Sequence, residues 1–181
     1  MEAKSKYSTG IQYGIIIALM YTILLFIRYN VFGKSPVSFG LFAVCSYLII
    51  LGLYLLPAFA RRKELGGFAT FKEIFQTIFI AILITEIVYV LFNFVYLKFI
   101  DPSFFDNLKV ATRTLLEKAN TPEEQIDKQM QGFKDVNEQL KPLKLLQGLG
   151  MWIVIDSIFG LIFASIIKKN KDVFDDKQSP R

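Results

Sequence analysis

Three ionisable side chains stand inside otherwise apolar stretches of this sequence: Arg28, Glu86 and Asp156. A charge near the centre of a bilayer costs at least about 2.5–3.5 kcal/mol, so such residues face a protein interior and find partners there. Asp156 lies eleven residues from each end of its apolar stretch, and Glu86 lies twelve residues from Ile74 and eleven from Leu97. The two stretches cross a membrane in opposite directions, which puts the carboxyl groups at similar depth. Two carboxylates that meet in a low dielectric do not both ionise cheaply, so one is expected to hold a proton. Arg28 is nearer the outer end, seventeen residues from Ile11. At about 1.5 Å per residue that is ~25 Å into its helix, against ~18 Å for Glu86. An arginine bridges much of this difference by pointing inward, or snorkels outward to water.

Neighbours at helical spacing extend the set. Tyr89, Asn93 and Tyr96 run outward from Glu86, while Asp156, Gly160 and Ala164 share a face with Trp152 one turn earlier. Arg28, Glu86, Asn93 and Asp156 are therefore the candidate residues of an intramembrane proton, ion or solute site. The competing reading is an internal ion-pair and hydrogen-bond network that sets helix register.

The elements that hold these residues follow from composition. Of the 181 residues 53% are hydrophobic, yet 20% are charged, so the two kinds must be segregated. Four apolar segments, about 11–32, 39–59, 74–97 and 145–167, carry only the three charges already named. Each is long enough to cross a ~30 Å hydrocarbon core, which needs ~20 helical residues. Their apolar residues run all round the helix, as lipid exposure requires. The first segment exceeds the apolar length of a signal peptide and no A-x-A-like site follows it, so it is expected to be a retained helix. Arg28 falls in phase with Gly14, Ala18, Tyr21 and Leu25. Gly10, Gly14 and Ala18 form a small-residue run that admits close helix packing, and Gly160 and Ala164 are the counterpart on the fourth span.

The predicted fold is all-α: a single membrane domain of four transmembrane helices with an extracytoplasmic helical insertion over about 98–144. Lys4 and Lys6, the cluster Arg61, Arg62, Lys63 and Lys72, and the tail residues Lys168, Lys169, Lys171, Lys177 and Arg181 lie on one side. Basic residues next to spans mark the cytoplasmic face, so both termini are expected on the cytoplasmic side. The same clusters could bind anionic headgroups, but topology accounts for them.

The insertion has eight basic and eight acidic residues. A loop of this length normally has its own structure. Asp101-Pro102 reads as an N-cap and first-turn proline, with Leu108, Ala111 and Leu115 following at helical spacing. Thr121-Pro122-Glu123-Glu124 reads as a second start, with Thr121 as N-cap and Glu124 completing a capping box. Ile126, Met130, Phe133 and Leu140 continue that stripe to Pro142. Two amphipathic helices are expected over 103–140, packing on each other as a hairpin, on the bundle end, or on a protein partner or second copy of the chain.

Other chemistry is constrained by what the sequence lacks. With no histidine and one cysteine, there is no histidine base, no intrachain disulfide and no nitrogen- or sulfur-rich metal site. Cys45 is expected to be a buried, inert thiol. Gly66-Gly67 is a loop break, since no phosphate-binding glycine pattern is present. The aromatics fall in or beside spans and read as lipid-facing surface and interface anchors, not as stacking platforms for bases. No cofactor, metal or nucleic-acid partner is expected; the expected surroundings are the lipid bilayer.

Three stretches carry a likeness: Gly10-Ile11-Gln12-Tyr13-Gly14, Gly67-Phe68-Ala69-Thr70-Phe71-Lys72-Glu73-Ile74-Phe75, and Phe99-Ile100-Asp101-Pro102-Ser103-Phe104. In that order the sequence resembles the bacterial family catalogued as domain of unknown function 4199, from about Lys6 to about Lys169. The resemblance implies a small four-helix integral membrane protein and brings no activity or site residues.

The functional expectation is a non-enzymatic accessory or assembly component working through its extracytoplasmic helices. The alternative is a small oligomeric channel or proton-coupled carrier using Arg28, Glu86 and Asp156. An embedded hydrolase is least favoured, because only a shared depth would make Glu86 and Asp156 an acid–base pair. No internal repeat of transporter type is present.

Overall fold

The structure, a computed structural model, describes residues 7–133 and 136–170. The basic residues Lys4, Lys6, Lys134, Lys171, Lys177 and Arg181 lie outside the described residues.

Four long helical units form the bundle. Helix α1 spans Ser8–Asn30. Helix α2, Pro36–Leu53, continues as α3, Leu55–Glu64. Helix α4 spans Phe71–Val95 and runs on as a π-turn, Tyr96–Ile100. Helix α8 is Pro142–Ile167. All four units are long and apolar enough to cross a membrane. The described residues contain no strand, only an isolated bridge between Ala69 and Lys169. The fold is therefore all-α.

The second unit breaks at Tyr54, where an unbroken span was expected. Pro57 explains the break: it lacks the N–H that would bond Leu53, and its ring crowds that carbonyl.

Helix α4 is the central element, packing on α1, α8 and α3. Its inward face places Ile74, Ile78, Ala81 and Ile82 in one core with Ile17, Ile50, Tyr54, Ala58 and Ala164. The opposite faces remain open: Ile15, Ile16, Leu19, Ile23 and Phe26 of α1 are all exposed, as are Leu41, Val44, Leu48 and Ile49 of α2. An exposed apolar belt on every long helix is what a lipid solvent selects. Cys45 is exposed in that belt rather than buried, because Ser38, Cys45 and Gly52 lie on the outward side of α2.

One end of the bundle is closed by polar staples. Ala69 and Lys169 exchange backbone hydrogen bonds of 2.9 Å each way. Arg62 donates from Nε to the Gly67 carbonyl at 3.0 Å and from Nη1 to the Ile167 carbonyl at 3.4 Å, capping the end of α8. Thr9 donates to Glu64 at 2.6 Å. Gly66 and Gly67 have φ of +73° and +91°. Gly67 N–H bonds the Arg62 carbonyl and Gly66 N–H that of Lys63, a Schellman end to α3.

The insertion forms α5, Phe104–Lys118, α6, Glu123–Met130, and a short α7, Val136–Gln139. The second helix is shorter than the stripe suggested, since Gln131 and Gly132 turn after Met130 and Leu140 falls beyond α7. Phe104 and Leu108 turn inward onto Tyr29, Phe39, Tyr96 and Leu97, while Ile126 and Met130 are buried as α6 packs on α5. These aromatics are core residues, not the interface anchors expected of them. Tyr29 stacks on Tyr96 at 4.3 Å and meets Phe104 edge-on at 4.8 Å. Arg113 ties α5 to α6 by pairing with Glu117 at 2.9 Å, Asp127 at 3.7 Å, and Glu123.

Two expected caps differ. Helix α5 starts after Ser103, and Asp101 makes no cap at its start. Thr121 belongs to the preceding helix: its N–H bonds the Leu116 carbonyl and Asn120, at φ +54°, bonds Glu117. Helix α6 begins one residue later than expected, with Pro122 at the N-cap position and no side-chain cap, so Thr121 lies outside it. The capping box lies instead at α4, where Thr70 and Glu73 satisfy each other's backbone N–H at 3.4 and 2.9 Å. Thr70→Ala is therefore expected to cost ~1 kcal/mol. Thr121→Ala should stay within about 0.5 kcal/mol. Thermal unfolding in detergent micelles compares them, and an equal cost would refute this assignment of caps.

Candidate functional site

The site is built where α1 and α8 pack on α4, with Tyr47 and Tyr54 reaching in from the second unit. Glycines bring α1 close. A Cβ on Gly10 would lie 2.8 Å from the Thr77 carbonyl oxygen, and one on Gly14 would lie 3.1 Å from Ala81 Cα and 3.0 Å from Ile84. Ala18 continues this seam, 3% exposed. On α8, a Cβ on Gly160 would meet Ile78 at 3.2 Å, and Ala164 is fully enclosed. Small side chains at these five positions set the helix spacing, so larger polar residues between them meet.

Glu86 and Asp156 are 3% and 1% exposed. Their carboxyl groups lie within hydrogen-bonding reach of each other. Two buried carboxyl groups can hydrogen-bond to each other only through a shared proton. Two phenols reach Asp156. Tyr47 donates to Asp156 Oδ1 at 2.8 Å and Tyr54 to Oδ2 at 3.3 Å. Neither tyrosine was legible as a partner, because α2 carries no charge to draw attention. The available signal was their spacing of seven residues, which puts both hydroxyls on one helix face.

Arg28 does not pair with either carboxylate among the described residues. Its guanidinium carbon sits 4.0 Å from the centre of the Phe39 ring, and the Tyr89 hydroxyl is within hydrogen-bonding reach. Its Nε is buried without a hydrogen-bond partner. Tyr89 also stacks on Tyr21 at 5.2 Å. Asn93 lies further out and is held on both sides: it accepts from Tyr29 at 2.6 Å and donates to the Tyr89 carbonyl at 2.7 Å.

Two cavities adjoin at Arg28. The inner one, of about 170 Å³, is lined by Tyr21, Arg28, Ala43, Tyr47, Glu86, Tyr89 and Trp152. It has room for several waters and enough polar atoms to hold them. The outer one, of about 250 Å³, is lined by Arg28, Tyr89, Asn93, Lys144 and Trp152 among others, beneath the insertion helices. Glu86 therefore lines the inner cavity, whereas Asp156 does not. No group of three or more metal-binding side chains occurs among the described residues.

One family profile covers the four long helices and the insertion. The profile, described as a protein of unknown function (DUF4199), aligns with residues 9–169. The chain belongs to this family. No curated protein and no solved structure matches it. Within this DUF4199 chain, Glu86 and Arg28 line the same inner cavity.

Proposed function

We propose that this chain is a small membrane carrier in which the Glu86–Asp156 pair exchanges its proton with the Arg28 cavity, without enzymatic chemistry. One observation carries the reading: Glu86 is almost wholly buried, yet its carboxyl group borders a cavity that also contains a cation. A purely structural pair gains nothing from that cavity, since burial without water already suits a shared proton. The groups that face the pair are Arg28 and Tyr21 from α1, Tyr47 from α2, Tyr54 at the break between α2 and α3, and Tyr89 from α4.

Reconstitution tests this. Vesicles containing the protein and an interior pH-sensitive dye should acidify faster than empty ones when a potassium diffusion potential is imposed. Glu86→Gln should remove at least about 90% of that excess, as expected for loss of an essential proton-transfer group. An unchanged rate at equal protein incorporation would defeat the carrier reading.

The same reading places the protein in a bacterial inner membrane with both termini inside, supported by Arg61, Arg62, Lys63, Lys168 and Lys169 at one end of the bundle. Association of several chains would enlarge a four-helix path. A second reading, an accessory protein that binds a partner through α5 and α6, draws on the exposed Val110 and Leu115 of α5. A pull-down with and without residues 103–140 separates the two.

A further inference from the structure

The outer cavity contains two cations, Arg28 and Lys144, and no carboxylate in its lining. Phe39, Leu97 and Trp152 give it apolar walls. Arg28 forms its floor. The buried Nε has no partner, and no described carboxylate forms an ion pair with this guanidinium. A buried donor without an acceptor is costly, and a guanidinium offers the planar fork that suits a two-oxygen anion. Lys144 is exposed and donates to Gln147 at 3.2 Å, so it marks the mouth.

We propose that this cavity binds a small amphipathic carboxylate, its head on Arg28 and its short apolar body against Phe39, Leu97 and Trp152. The proposal rests on the carrier reading and names its class of solute. The anion enters from the outer side, drawn by Lys144, and its charge settles on the guanidinium rather than on the carboxyl pair. A space of about 250 Å³ is smaller than most pockets for drug-sized ligands, so it limits the apolar body to a short chain. Once bound, the anion sits beside the inner cavity that Glu86 borders, because Arg28, Tyr89 and Trp152 line both spaces. Proton loading of the pair and anion binding are thereby linked, each favouring the other.

Trp152 is the sole tryptophan of the chain, so its fluorescence reports on the cavity. The full chain, in neutral maltoside micelles, is titrated with hexanoate, with hexanol, and with phosphatidylglycerol. Hexanoate should change the emission saturably and hexanol should not. Arg28→Gln should weaken hexanoate binding at least about tenfold, the loss expected for a charge-assisted contact. Lys144→Gln, at an exposed position, should weaken it about two- to fivefold, with the difference shrinking as salt rises. An equal response to hexanol, or an unchanged affinity in a folded Arg28→Gln protein, would overturn the proposal. So would saturation by phosphatidylglycerol without any by hexanoate. If Arg28→Gln does not fold, hexanoate affinity indifferent to both Lys144→Gln and salt overturns it. The two readings fail separately. Hexanoate binding without proton flux sinks the carrier alone, and flux without hexanoate binding sinks the carboxylate assignment alone.

Discussion

Replacing Asp156 with leucine is expected to destabilise the folded protein by about 3–5 kcal/mol, the sum of several buried polar groups left without a partner at ~1–3 kcal/mol each. The change deprives the Tyr54 hydroxyl of its acceptor in the core and Tyr47 of a 2.8 Å bond. It also leaves Glu86, 3% exposed, without the carboxyl group it faces. Asp156→Asn keeps an acceptor for one phenol and should cost about 1–2 kcal/mol, within the usual worth of a hydrogen bond to a charged group. Adding Tyr54→Phe to Asp156→Leu should recover part of the loss, because removing both partners of a buried bond is far milder than removing one. Denaturant titration followed by circular dichroism in micelles measures these differences. A leucine variant as stable as the parent would show that the cluster is not a satisfied network and would remove the structural basis for the proton pair.

The second large effect concerns the seam between α1 and α4. Gly14→Ile should cost about 3 kcal/mol or more, at the upper end of overpacking penalties. The reason is that the new side chain would have to enter a space where Cβ alone already lies 3.1 Å from backbone at Ala81. Backbone cannot swing aside as a side-chain tip does, so α1 must move away. Arg28 rides on α1 and would leave the cavity it shares with Glu86, so proton flux should fall together with stability. Gly40→Ala is the matched control. Nothing lies within 4 Å of its Cβ position, and the change should be neutral or stabilising by up to ~1 kcal/mol from helix propensity. Unfolding midpoints of the two variants compare them directly; similar values would mean that close packing at Gly14 is not what positions α1.

Much of the architecture was legible because its causes are local. A run of about twenty apolar residues declares a span whatever lies beside it, and an interior charge in such a run declares an inward face. The same logic found the glycine seam, since small residues four apart act on a single helix. The misreadings are cases where a neighbour decided. Thr121 looks like an N-cap in isolation, but the end of α5 had already claimed it. Cys45 looks like a core residue until α2 is seen to turn that face outward. The aromatic cluster around Tyr29 looks like interface anchoring until α5 folds over it.

The sequence by itself determined that four helices are long and apolar enough to cross a membrane, that most charges fall outside them, and that Glu86 and Asp156 are the acidic side chains within them. The tertiary structure decided the partnerships. Depth along each helix is a one-dimensional quantity, and it could be counted from span ends. The azimuth at which helices face each other is set by packing of small residues across three interfaces at once. Only that packing joined the two carboxyls to Tyr47 and Tyr54, turned Arg28 onto Phe39 and Tyr89 instead of onto Glu86, and left room beside it.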